Sequence, residues 1–93
     1  MYAIRYFNTF VMTPIIYFFH GIKIRVYSKD HLPPHCHCEF AEYMLTVNLV
    51  TLEIIDGWLP PRVENRVMKR LSTEENRQRL LEEFYKLNPH LKL

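Results

Sequence analysis

Glycine is scarce: Gly21 and Gly57 are the only two in 93 residues. Because 48% of the chain is also apolar, it is neither disordered nor of low complexity. Long apolar runs are lacking too. Residues 1–19 are rich in aromatics, but Arg5, Asn8 and Pro14 break them up well short of the ~20 residues that span a bilayer. With no small-residue cleavage site after an unbroken apolar segment, a signal peptide is not expected either. Cysteine is limited to Cys36 and Cys38, whose i, i+2 spacing on a strand diverges from disulfide geometry. Without a disulfide framework the expected setting is reducing and cytoplasmic, with no membrane association. Charge of one sign is not in large excess: the net +2 does not by itself imply nucleic acid. Its distribution says more. Arg5, Lys23, Arg25 and Lys29 precede the first acid, Asp30, and Arg62, Arg66, Lys69 and Arg70 cluster later, so both regions could meet an anion.

Ninety-three residues make one domain, 1–93, with a single core. Residues 1–11 read as an N-terminal extension. Tyr2, Ile4, Tyr6, Phe10 and Val11 suggest an extended arm, suited to lying on a second copy of the chain, and Met12-Thr13-Pro14 looks like a second start. Residues 12–58 read as β. Residues 15–19 are a β-prone run ended by His20-Gly21, and Ile22, Ile24 and Val26 then alternate with Lys23, Arg25 and Tyr27. Further strands are expected over 36–40 and 43–50, with a turn at Ala41-Glu42 between them. A short strand over 53–55 precedes Asp56-Gly57, read as a turn dipeptide. Residues 60–87 change period. Pro60 or Pro61 opens a first helix with Val63, Val67 and Leu71 inward. Ser72 and Glu75 read as a capping box for a second helix, with Leu80, Leu81, Phe84 and Leu87 inward and Asn88-Pro89 as its stop. The fold expected is α+β: an antiparallel meander of three to five strands, then two helices packed on one sheet face.

Chemistry concentrates in Asp30-His31-Leu32-Pro33-Pro34-His35-Cys36-His37-Cys38, which holds three of the chain's five histidines and both cysteines. The prolines fix their own φ and push the preceding residues out of the helical region, so 31–34 is a stiff, extended lead-in. A trans bond is expected between Pro33 and Pro34. Strand alternation then sends His35 and His37 to one face and Cys36 and Cys38 to the other.

Three uses of this segment follow. In acid–base chemistry, His35 and His37 would be base and acid. Asp30 would orient an imidazole, Arg25 would hold a phosphate, and Lys23 and Tyr27 would help bind substrate. In metal binding, His31, His35 and His37, with Asp30, would supply ligands to a divalent ion such as zinc. In the plain structural alternative, His31 and His35 hydrogen bond to the backbone around the Pro-Pro turn, and His37 is a surface strand residue. The cysteines are most simply small core residues.

The run from His20 to Phe40, and above all Asp30-His31-Leu32-Pro33-Pro34-His35-Cys36-His37, resembles the signature of a family of small bacterial proteins of unknown function. Members carry Asp-His-x-Pro-Pro-His-x-His and finish with a helical tail. The likeness spans residues 12–87 and departs at the two cysteines, usually apolar positions, and at the long N-terminus. The resemblance implies a component of a two-gene toxin–antitoxin module, with a small cognate protein as partner and RNA as a target. The reading is therefore a toxin–antitoxin-type protein with ribonuclease-like activity, acting through His31, His35, His37 and Asp30 without a cofactor. A non-catalytic protein-binding or oligomerisation module working through residues 1–11, and a metal-binding protein using the same histidines, are the alternatives.

Overall fold

The computed structural model describes residues 13–92. The arm expected over residues 1–11, and its role in self-association, lie outside the described residues. Five strands form one antiparallel sheet in sequence order: β1 (Ile15–Phe19), β2 (Ile22–Arg25), β3 (His35–Phe40), β4 (Tyr43–Asn48) and β5 (Ile54–Trp58). Two helices follow, α1 (Pro61–Leu71) and α2 (Glu74–Leu87), then a 3-10 turn over Pro89–Leu91. This is the α+β meander with two helices that the patterning predicts.

Register divides the sheet into two faces. Ile24 lies opposite Cys38 and Cys38 opposite Leu45, with Cys36 opposite Val47. All of these are buried in one core with Val63, Val67 and Leu71 of α1 and Leu80 and Phe84 of α2. Both helices therefore cover this face, driven by the apolar stripes that the 3.6-residue period lays down. Cys36 and Cys38 are free thiols inside the core, their sulfurs 3.9 Å apart. The hydrogen bond with Cys38, together with burial, pushes the Cys36 thiol well up, which keeps it neutral and inert. On the opposite face, Arg25, His37, Thr46 and Asp56 form one cross-strand row, and Lys23, Glu39, Met44 and Trp58 the next. No described element covers that face.

Several local expectations change. Asp56-Gly57 is not a turn but the middle of β5, because Gly57 packs its backbone against β4. A Cβ there would stand 2.1 Å from the Met44 carbonyl oxygen, and φ is +87°. The turn lies earlier. Asn48 Oδ1 accepts from the N–H groups of Val50 and Thr51 at 2.7 and 3.1 Å, which ends β4 at Asn48 rather than Val50. Ile55 is skipped in the β4–β5 pairing, forming a bulge. Strand β3 starts at His35, one residue earlier than expected. The capping box does not form. Thr73, not Ser72, precedes α2, and the Ser72 hydroxyl donates to the Lys69 carbonyl at 2.9 Å, closing α1 instead. The Pro33–Pro34 bond is trans, as expected; the cis bond in the segment is Leu32–Pro33.

Candidate functional site

The histidine segment reaches the sheet between β2 and β3, and its position is held from the far end of the chain. Asn88, fully buried at the end of α2, donates from Nδ2 to the carbonyls of Tyr27 (2.7 Å) and Phe84 (3.0 Å). Its Oδ1 accepts the Asp30 N–H at 2.9 Å. One amide thus clamps the 27–30 loop to the helix, and Asp30 is aimed inward as a result. Asp30 Oδ1 also accepts the His31 N–H at 2.9 Å.

Around this carboxylate the imidazoles gather. His35 Nε2 lies 2.9 Å from Asp30 Oδ2, and His37 Nε2 lies 3.6 Å from the same oxygen. His31 Nε2 lies 3.6 Å from Oδ1, but its side chain is 82% exposed, at the rim. His35 Nδ1 is 2.7 Å from the Pro33 carbonyl, which only accepts, so Nδ1 carries the hydrogen. A neutral His35 therefore points an unprotonated Nε2 at a carboxylate oxygen. That contact is favourable only with a proton or a cation between them.

His37 presents the same question in a sharper form. Its ring stacks on Tyr27 with centroids 4.0 Å apart and an interplanar angle of 10°. Its Nδ1 is 3.4 Å from the Thr46 hydroxyl. Its Nε2 is buried with no hydrogen-bond partner, and 3.6 Å to Asp30 is too long for one. Burial, then the neighbouring His35, lower the His37 pKa against the opposing pull of Asp30, so its neutral form is favoured. One ligand atom from each of Asp30, His35 and His37 lies within 4.8 Å of the others. Bonds of about 2.0–2.1 Å in a tetrahedral site put ligand atoms about 3.3 Å apart. The 2.9 and 3.6 Å separations bracket that spacing.

The cluster opens on a cavity of about 340 Å³, whose wall includes Lys29, Thr46, Ile55 and Asp56. The β5 bulge contributes Ile55 to this wall, a common use of bulges beside sites.

The residues expected to bind substrate fall in three different places. Tyr27 lines the cavity and supports His37, while its hydroxyl lies 3.4 Å from Glu39 Oε2. Burial and then Glu39 raise its pKa, so the phenol stays protonated. Arg25 sits opposite His37, but its Nε donates to Glu39 at 3.1 Å and its guanidinium to the Thr13 carbonyl at 2.8 Å. Lys23 is exposed one row further along, outside the cavity wall. Asn88, Thr46, Ile55 and Asp56 join the site with no motif in the sequence to mark them. Asn88 was visible only as a helix stop, and no local pattern ties it to a loop 58 residues away.

No helix among the described residues is long and apolar enough to cross a membrane. No curated protein and no solved structure matches the chain. A family model matches residues 21–85, a span that runs from the β1–β2 turn through the histidine cluster into α2. The chain belongs to the family described as Domain of unknown function (DUF4160).

Proposed function

We propose that Asp30, His35 and His37 together hold one divalent first-row metal ion such as zinc, and that this centre hydrolyses a phosphodiester in the adjoining cavity. The observation that carries the reading is the convergence of three donors within 4.8 Å of one another, one of them a buried nitrogen with no hydrogen-bond partner. Charge supports it. Asp30 and Asp56 outnumber Lys29 on the cavity wall, and Arg25 is engaged by Glu39, so the wall alone repels phosphate oxygens. A dication reverses that balance. An ion held in this way supplies Lewis acidity and an acidified water.

The chain's own residues do the rest. Pro33 fixes the His35 tautomer, Tyr27 holds the His37 ring in plane, and Asn88 aims Asp30. His31, outside the donor set but on the cavity wall, is placed to pass a proton to or from the reacting group. The resemblance adds RNA as the substrate, a small cognate protein as the partner and a toxin–antitoxin role. Phe18, Met44 and Trp58, exposed on the uncovered face, offer such a partner apolar surface. Free buried thiols suit a cytoplasmic setting.

A second reading rests on the His35–Asp30 contact and on the lowered pKa of His37. Without an ion, a protonated His35 is an acid and a neutral His37 a base. Elemental analysis of untagged protein, with RNA cleavage assayed in and out of chelator, separates the two. About one ion per chain, lost in His35→Ala together with cleavage, is the expected result. Metal-free protein that cleaves RNA in chelator and fails as His37→Ala would establish acid–base chemistry instead. Metal-free, inactive protein would remove both.

A further inference from the structure

A second cavity, of about 430 Å³, lies at the other end of the sheet from the histidine cluster, between the β1–β2 turn and the α1–α2 junction. Lys23 pairs with Glu39 near that turn, whereas His37 and then His35 follow at the far end of β3. We propose that this cavity binds the phosphate backbone of a nucleic-acid strand. Arg66, Lys69 and Arg70 line it, His20 adds a further donor, and no carboxylate contributes to its wall. None of the three cations has an ion-pair partner among the described residues.

Arg70 is the residue most clearly prepared. Its guanidinium lies 4.0 Å over the Phe19 ring and 5.3 Å from the Tyr17 ring. Its carbonyl accepts from Asn76 Nδ2 at 3.0 Å, and Asn76 Oδ1 in turn accepts from the Tyr17 hydroxyl at 3.2 Å. Stacking occupies the flat face of a guanidinium and leaves the N–H groups in its plane for an oxyanion. The wall also carries Thr73, which precedes the 14-residue α2 and makes no side-chain cap bond, so its hydroxyl adds a donor. Glu74, next to Thr73 in sequence, is turned to Arg77 and Gln78 at 2.6 and 3.0 Å.

A strand, rather than a lone phosphate, is favoured by what continues out of the cavity. Arg62, Arg66, Lys69 and Arg70 follow at i, i+4, i+7 and i+8 along one face of α1. That face is about 12 Å long, enough to meet successive phosphates of one strand. A concave, aromatic-backed pocket also suits a nucleotide better than the plane of a bilayer. This site stands apart from the metal centre and does not depend on it.

The test is fluorescence anisotropy of a labelled, mixed-sequence RNA 12-mer with the full chain in chelator, over a salt series. Arg66 and Lys69 are exposed, so Arg66→Gln/Lys69→Gln should fold as wild type, checked by its melting curve. Binding should weaken about 10-fold or more, and the slope of log K on log salt should fall by about 1.4, roughly 0.7 per lost contact. Arg70→Gln should weaken binding further, and Arg70→Lys should not restore it. Unchanged affinity and slope in the double variant would overturn the proposal. So would binding to phosphatidylserine vesicles but not RNA, or displacement of the RNA by polyglutamate as readily as by unlabelled RNA.

Discussion

Asn88 shows how much one side chain decides. It is fully buried, and its amide makes three hydrogen bonds, two to the loop carrying Asp30 and one to the Phe84 carbonyl of α2. Asn88→Ala should cost about 2–4 kcal/mol in urea unfolding, since it both deletes those bonds and strands buried partners. It should also weaken zinc binding about tenfold or more, as loss of a supporting partner does. A stable variant with wild-type zinc affinity would detach Asn88 from the site. His37 sets a pH dependence. Its folded pKa lies below the ordinary histidine value near 6.5, so above that value neither state holds the extra proton. As the pH falls through the unfolded value toward the folded one, the unfolded chain takes up a proton that the folded chain resists. Stability in chelator should therefore fall over that window and level off below the folded pKa. His37→Phe should flatten the part of the slope that His37 contributes; an identical pH profile in the variant would show that another group sets it.

At the scale of elements, what was legible was periodicity, and what misled was local chemistry read out of context. The alternation of Ile22 and Ile24 with Lys23, and the spacing of Val63, Val67 and Leu71, each appear as expected, because burial of one face enforces a period along the whole element. Asp56-Gly57 reads as a turn because most such dipeptides are. Here the glycine instead lets β5 approach Met44, and the actual turn is built by the Asn48 side chain. Ser72 likewise has the right type for a cap but lies one residue too early, spent on closing α1. Gly57→Ala should destabilise the fold by about 2 kcal/mol or more, through both the φ of +87° and the contact with the Met44 carbonyl. A melting temperature equal to wild type would mean that β5 can shift away from β4.

For the whole molecule, the two faces of the sheet carry different tasks. One is covered by α1 and α2 and holds the core; the other bears the row from Arg25 through His37 to Asp56, over which no described helix or strand lies and where Tyr27 covers the His37 ring. The proposed metal site lies where the histidine segment joins the sheet, so an ion bound there would link the Asp30 loop to β3, with Asn88 tying that loop to α2. Zinc at about 100 times its Kd should add about 2.7 kcal/mol. For a domain of this size that raises the Tm by roughly 10–20 °C. Scanning calorimetry of chelator-treated protein with and without zinc checks this. No shift at saturating zinc would mean that no ion binds the folded state in preference to the unfolded one.

The sequence by itself determined the β-then-α order, the stripes that build the core, the burial of the cysteines and the segment that carries the clustered histidines. Each follows from a short-range rule: strand period, helix period, or the stiffness of the Pro33-Pro34 lead-in. Only the tertiary structure decided which groups meet. Pairing of β2 with β3 set Arg25 opposite His37 but gave its guanidinium to Glu39. The fold of α2 back onto the sheet brought Asn88 to Asp30, and Asp30 to His35 and His37. Those contacts join residues far apart in the chain or hang on side-chain direction within a loop. Neither leaves a periodic trace, so three-dimensional packing alone turned a histidine-rich stretch into a converging set of donors.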